Sequence, residues 1–203
     1  MKLYCSLTSP YARKVRVLID ELGLRQSVTE VVVDPWSDPT ELLHGNPLGK
    51  VPALATDDGL VLPDSRLITD YLLAQRDGLA PPPVAAAARW RLARDAQFAD
   101  GIIDAAVAMV IETMKRPQQY LWQGWLARQR QAIARTLEVL EPGAAALCND
   151  ERVGLHEIAL GCALAYLDLR FPRLDWRGGH LRISAWYDGF AERPSMRRTR
   201  PPA

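Results

Sequence analysis

Three consecutive prolines, Pro81 to Pro83, divide this 203-residue sequence into stretches of different periodicity. Proline lacks a backbone N–H and clashes with the preceding helical turn, so the run cannot lie inside a helix. Before it, short β-branched and apolar runs alternate with helical patterns; after it, strand signals vanish and apolar residues recur at helical spacing. With the Asp77-Gly78 turn just upstream, the pattern predicts a small mixed α/β domain over 1–77, a linker over 78–84 and an all-α C-terminal domain over 85–203.

Within the first stretch, the apolar run Met1 to Leu7 reads as a strand and Lys14 to Leu24 as a helix stopped by Gly23. Thr29 to Val33 is a β-branched strand closed by Asp34-Pro35. Two short strands, Val51 to Ala55 and Leu60 to Leu62, flank Thr56-Asp-Asp-Gly59, an Asp-Gly hairpin signal. Asp64 to Ala74 returns to helical spacing. In the second stretch, Ala85 to Met114, Trp122 to Leu140, Gly154 to Leu169 and the shorter Leu181 to Phe190 read as helices, and Trp90, Trp122, Trp125 and Trp186 as packing residues or cleft walls.

Charge is nearly balanced, 25 basic residues against 24 acidic, without the basic excess a nucleic-acid partner normally requires. The arginines that crowd the end, Arg193, Arg197, Arg198 and Arg200, read as a solvated tail. Cys5, Cys148 and Cys162 have no paired or metal-type spacing; the first and last sit in apolar runs and read as core residues. His44, His156 and His180 show no ligand spacing either, so no metal is expected. No signal peptide is visible at the start, and no apolar run approaches the ~20 residues that span a bilayer. The expectation is a soluble protein of a reducing, cytoplasmic compartment.

Three short constellations carry chemistry. Thr8-Ser9-Pro10 starts a helix directly off a strand, because serine suits the N-cap and proline the first turn. The helix start carries roughly half a positive charge, which favours an anion such as a thiolate. Ser9 reads either as a cap alone or as a cap that also steadies such a thiolate. In Asn46-Pro-Leu-Gly-Lys-Val-Pro52, the Val-Pro pair suits a cis bond after a glycine turn, leaving Val51 able to pair with an extended peptide; a trans proline opening a strand is the alternative. Lys50 beside it could meet a carboxylate or be merely solvated. At Asp64-Ser65 a strand gives way to a helix, a start that binds carboxylates, with Asp64 able to pair an ammonium. The bland reading is two capping residues. Taken together, the three suit a short γ-linked peptide with a central thiol.

These segments resemble the cytosolic glutathione S-transferase family over essentially the whole chain. Thr8-Ser-Pro-Tyr-Ala-Arg-Lys-Val-Arg16 resembles the opening of the family's first helix, and Asn46 to Leu54 its cis-proline segment. Asp64-Ser65 with Ile68 and Tyr71-Leu72 resembles its third helix, and Trp186-Tyr187 through Arg193-Pro-Ser195 and Thr199 its closing helices. The pattern is bacterial, with a serine-type first-helix motif most similar to the omega-like branch. The resemblance implies a thioredoxin-like N-terminal domain and glutathione as co-substrate, with Ser9 acting on its sulfur. Val51 would pair with the backbone of its cysteine, Asp64 and Ser65 would hold its γ-glutamyl end, and Lys50 and Tyr11 would lie near it. It implies conjugation to a small hydrophobic electrophile bound against the helical domain, as in detoxification, and a homodimer. A non-catalytic relative and a glutathione-dependent disulfide reductase are the alternatives. Serine in place of cysteine at position 9 disfavours chemistry through a protein–glutathione mixed disulfide.

Two expectations concern the helical domain. Where the family has a Ser/Thr-x-x-Asp capping box, this chain has Gly154-Leu-His-Glu157; Glu157 can reach back to the N-cap N–H, but glycine supplies no oxygen, at a cost of ~1 kcal/mol. Asp100 and Asp104, four apart, share a helix face, read as solvated or as a polar contact near the glutathione amino group.

Overall fold

The computed structural model describes residues 1–75, 85–148 and 152–202; the linker expected over 78–84 lies outside them. The chain forms two compact units, Met1–Pro81 with Arg193–Ala203, and Pro82–Glu192.

In the first unit, β1 (Lys2–Cys5), α1 (Pro10–Glu21) and β2 (Thr29–Val32) make a parallel crossover, since parallel strands need a long connection and α1 supplies it. The helix α2 (Thr40–Gly45) follows, in a stretch the sequence pattern left as a connector. Next, β3 (Ala53–Ala55) and β4 (Val61–Pro63) form the hairpin, and α3 (Ser65–Gln75) follows. The sheet order is β2-β1-β3-β4, with β3 antiparallel to both neighbours. The hairpin turn closes as Asp-Gly suggested: Thr56 N–H donates to Leu60 C=O at 2.8 Å, and Gly59 takes φ +88°. Alternation along β1 buries Leu3 and Cys5. The α1 face carrying Val15, Leu18 and Ile19 is buried as well.

The arginine-rich end is not a solvated tail. From Arg193 it belongs to the first unit rather than to the helical one, and α8 (Pro194–Arg198) packs on α1. Arg193 grips both oxygens of Glu21 through Nε (3.1 Å) and Nη2 (2.9 Å), and the Ser195 hydroxyl donates to the same carboxylate. Arg198 holds both oxygens of Asp20 at 2.6 and 2.7 Å. From the other side, buried Arg13 donates to the Met196 carbonyl at 3.0 Å. Charges that sequence reading assigned to water are spent on helix ends, which is why the segment folds.

The second unit contains α4 (Ala86–Lys115), α5 (Gln123–Leu140), α6 (Leu155–Arg170) and α7 (Leu181–Ala191). Every residue of α6 from Glu157 to Leu167 is buried, the signature of a helix packed on all sides. Its missing N-cap oxygen is offset by Glu157, which accepts from Gly154 N–H and, across a loop, from Cys148 N–H at 2.7 Å. The α7 start likewise has no local side-chain cap; Glu141 supplies one by accepting from Arg182 and Ile183 N–H at 2.8 and 3.0 Å. Asp100 and Asp104 do not share an environment: Asp100 is buried and Asp104 exposed. The tryptophans differ too, since Trp186 is buried while Trp90 and Trp122 are about two-thirds exposed, at 67% and 66%. Cys5 and Cys162 are buried and Cys148 is exposed.

Candidate functional site

The register of the sheet brings the three constellations to one end of the first unit. Tyr4 pairs with Ala53, and Ala53 with Pro63. Because β3 runs antiparallel to β1 and β4, the segment leaving β1 (Ser6 to Ser9), the segment entering β3 (Val51-Pro52) and the segment leaving β4 (Asp64-Ser65) all emerge at that end. Sequence separations of more than 40 and 10 residues collapse into one rim.

On this rim, Ser9 is the N-cap of α1. Its Oγ accepts the Ala12 N–H at 3.3 Å, and its carbonyl accepts the Arg13 N–H at 2.9 Å. Pro10 has no N–H. Ser9 thus takes up the Ala12 and Arg13 N–H groups itself, and its hydroxyl stands at the helix start. The first turn of α1 carries no acidic residue, so nothing on it offsets the positive end of the helix. Tyr11, one turn position further on, is half-buried.

The Val51-Pro52 peptide bond is cis. Val51 is half-buried and lies outside the strand ladder, whose register begins at Ala53, so its N–H and C=O are not used in strand pairing. Asn46 shapes the turn before it, a role the sequence reading did not give it. Buried to 1% exposure, Asn46 donates from Nδ2 to the Lys50 carbonyl at 2.8 Å and accepts the Leu48 N–H at 3.1 Å. The signal was present as an Asn-Pro-x-Gly turn, and Gly49 at φ +61° completes it. Lys50 itself projects an exposed side chain.

Asp64 takes the left-handed conformation, φ +72°, and its Oδ1 accepts the Arg66 N–H at 2.7 Å. Ser65 opens α3 and is only 4% exposed. No group of three or more metal-binding side chains occurs among the described residues, and no described helix is long and apolar enough to cross a membrane.

Residues 8–75 match the family described as glutathione S-transferase, N-terminal domain, and residues 123–189 match glutathione S-transferase, C-terminal domain. The chain belongs to the glutathione S-transferase family. An uncharacterized GST-like protein of Escherichia coli, YibF, is 33% identical over 100% of this chain and 99% of its own. A glutathione transferase family member from Pseudomonas fluorescens, solved with bound glutathione, is 42% identical and covers 100% of this chain and 99% of its own, with a TM-score of 0.92. A structure of a family member from the same organism with bound S-(propanoic acid)-glutathione superposes at 0.88, again at 42% identity and with full coverage of both chains. The four-stranded mixed sheet with flanking helices and the separate helical unit are the glutathione S-transferase fold.

Proposed function

We propose that this glutathione S-transferase family member binds glutathione on the rim formed by Ser9, Val51 and Ser65 and activates its thiol for attack on a small hydrophobic electrophile. One observation carries the reading: the Ser9 hydroxyl, already accepting the Ala12 N–H, keeps its own proton to donate at the positive end of α1. A free cysteine thiol, with an ordinary pKa of about 8.5–9, is mostly protonated at neutral pH, and the thiolate is the nucleophile. A hydrogen bond to the sulfur anion and the helix field both favour the charged form and lower the thiol pKa.

In the proposed complex, Val51 pairs its backbone with the cysteinyl backbone of glutathione. Ser65 gives its hydroxyl and the α3 start to the γ-glutamyl carboxylate, and Asp64 meets the ammonium. Lys50 and Tyr11 lie close enough in sequence to contribute at the edge. The thiol proton leaves to solvent, the sulfur forms the new bond to the electrophilic carbon, and the leaving group departs with the electron pair. Support comes from the Pseudomonas fluorescens relatives, one solved with glutathione and one with an S-substituted glutathione. We place the protein, as a homodimer, in the cytoplasm.

The Ser9→Ala variant should bind glutathione within a few-fold of wild type by calorimetry. It should lose at least about ten-fold in conjugation rate with 1-chloro-2,4-dinitrobenzene at pH 6.5, since each unit of lost pKa depression removes about ten-fold of thiolate. The acid limb of its pH–rate profile should move to higher pH. Full activity in the variant, or no glutathione binding by wild type, refutes the proposal. Faster turnover of hydroxyethyl disulfide than of the chloronitrobenzene would favour the reductase alternative.

A further inference from the structure

Charge runs along α1 in the order opposite to the one that steadies a helix. A helix favours acids at its start and cations at its end, yet α1 has no acid in its first turn and no cation in its last. Arg13, Lys14 and Arg16 come first, and Asp20 and Glu21 close it. Arg13 and Lys14 are buried, at 6% and 1% exposure.

Most of the charges around α1 are matched or face water. Glu30 of β2 holds Arg16, while Asp20 and Glu21 hold Arg198 and Arg193 of the closing segment. On α3, which packs on α1, Arg66 and Asp70 are exposed, and Asp64 before it lies on the rim. Arg197 of α8 is exposed as well. Arg13 differs. Its Nε donates to the Thr199 hydroxyl at 3.4 Å and its Nη2 to the Met196 carbonyl at 3.0 Å. Both acceptors are neutral, and no acid among the described residues pairs with it. The guanidinium is satisfied as a donor and left unmatched as a charge. Buried charges are normally paired; an unmatched one keeps its field, which salt screens little where water is excluded.

That field acts on the start of α1. Arg13 follows Ser9 by one turn, about 6 Å along the axis, and its N–H donates to the Ser9 carbonyl at 2.9 Å. A unit charge on the order of 10 Å away, at an effective dielectric of about 20, moves a titration by about one unit. The helix start is therefore backed by a fixed cation as well as by its own dipole.

We infer that Arg13 is a positioning residue for the thiolate: its buried, unmatched charge holds the glutathione sulfur ionised at the start of α1 without touching it. The inference rests on the reading that the sulfur sits at Ser9.

Ultraviolet absorbance of the thiolate follows the titration of glutathione bound to the full-length protein. S-methylglutathione, which has no ionisable thiol, reports binding alone. In Arg13→Gln the bound thiol should titrate about one unit higher than in wild type, leaving about ten-fold less thiolate at pH 6.5, while S-methylglutathione binds as it does to wild type. Arg13→Lys keeps the charge and should restore most of the difference. Thr199→Asp brings an acid to the guanidinium with Arg13 in place; it should raise the titration too, and it carries the test if Arg13→Gln does not fold. A wild-type bound thiol that titrates below free glutathione but is unmoved by Arg13→Gln and Thr199→Asp overturns the inference and leaves the reading of Ser9 standing. An equal shift in Arg13→Lys and Arg13→Gln marks a packing role and also overturns it. If the wild-type bound thiol titrates like free glutathione, the activation reading fails and the inference with it.

Discussion

Gly161, in the middle of α6, should be the least replaceable residue of the helical unit. A Cβ built there would sit about 2.5 Å from Cδ1 of Phe190 and closer still to its Cε1. Ordinary carbon–carbon contact is about 3.5–4.0 Å, so the overlap is about 1 Å or more. The ring has little room to retreat: Phe190 is 0% exposed and lies against Trp186, with centroids 4.6 Å apart. Alanine gains about 0.8–1.0 kcal/mol over glycine from helix propensity, whereas overpacking a filled core costs about 1–3 kcal/mol. With the ring boxed in, the cost belongs at the upper end. Gly161→Ala should therefore lose about 2 kcal/mol net. Urea unfolding followed by circular dichroism should show a lower midpoint at unchanged slope. Phe190→Leu in the Gly161→Ala background should cost less than in wild type, because the same clash is relieved, with a coupling on the order of 1 kcal/mol. A Gly161→Ala protein as stable as wild type would refute the steric argument, since propensity would then have outweighed the contact.

Other outcomes follow from particular contacts. Glu21→Ala removes the carboxylate that Arg193 grips where both side chains are about nine-tenths buried; the loss should be about 3 kcal/mol, and trypsin should cut after Arg197 and Arg198 faster than in wild type. Unchanged cleavage would show that the segment is held by other contacts. Glu141→Ala removes the distant cap of α7 and should cost about 1 kcal/mol in thermal or urea unfolding. Burial pushes the Cys5 thiol up to about 11 from an ordinary value of 9.0, with the nearby Glu30 carboxylate adding to the effect. Because the unfolded thiol ionises first, the stability held by protonated Cys5 is intact below pH 9 and is lost as pH rises from 9 towards 11; Cys5→Ala should flatten that part of the stability–pH curve. In the native protein at pH 8, a chromogenic disulfide reagent should titrate one fast thiol, Cys148, with Cys5 and Cys162 reacting only on unfolding.

Much was legible because it is local. The proline run and the loss of strand periodicity after it announce a helical second half. Ser9-Pro10 announces a helix start and Asp58-Gly59 a hairpin, each from the conformational limits of a few adjacent side chains, whereas local preference left Val51-Pro52 open between cis and trans and only the family resemblance pointed to the cis bond that is found. The parts that sequence reading missed depend on partners far along the chain. Arg193 and Arg198 look like solvent-facing charges until Glu21 and Asp20, more than 170 positions away, are placed beside them. Glu141 caps a helix 41 residues on, and no capping signature next to α7 could reveal it. Periodicity put Asp100 and Asp104 on one face, but whether a face is covered is set by its neighbours, and only Asp100 is buried.

For this protein the sequence alone determined three local features, a capping serine, a Val-Pro segment after a glycine turn and an Asp-Ser helix start, together similar to the glutathione S-transferase pattern. Only the tertiary structure decided that they share one rim, because the pairing of Tyr4 with Ala53 and of Ala53 with Pro63 is a register between strands. Register depends on hydrogen bonds between segments far apart in the chain, whereas helix starts and turns depend on the residues that form them.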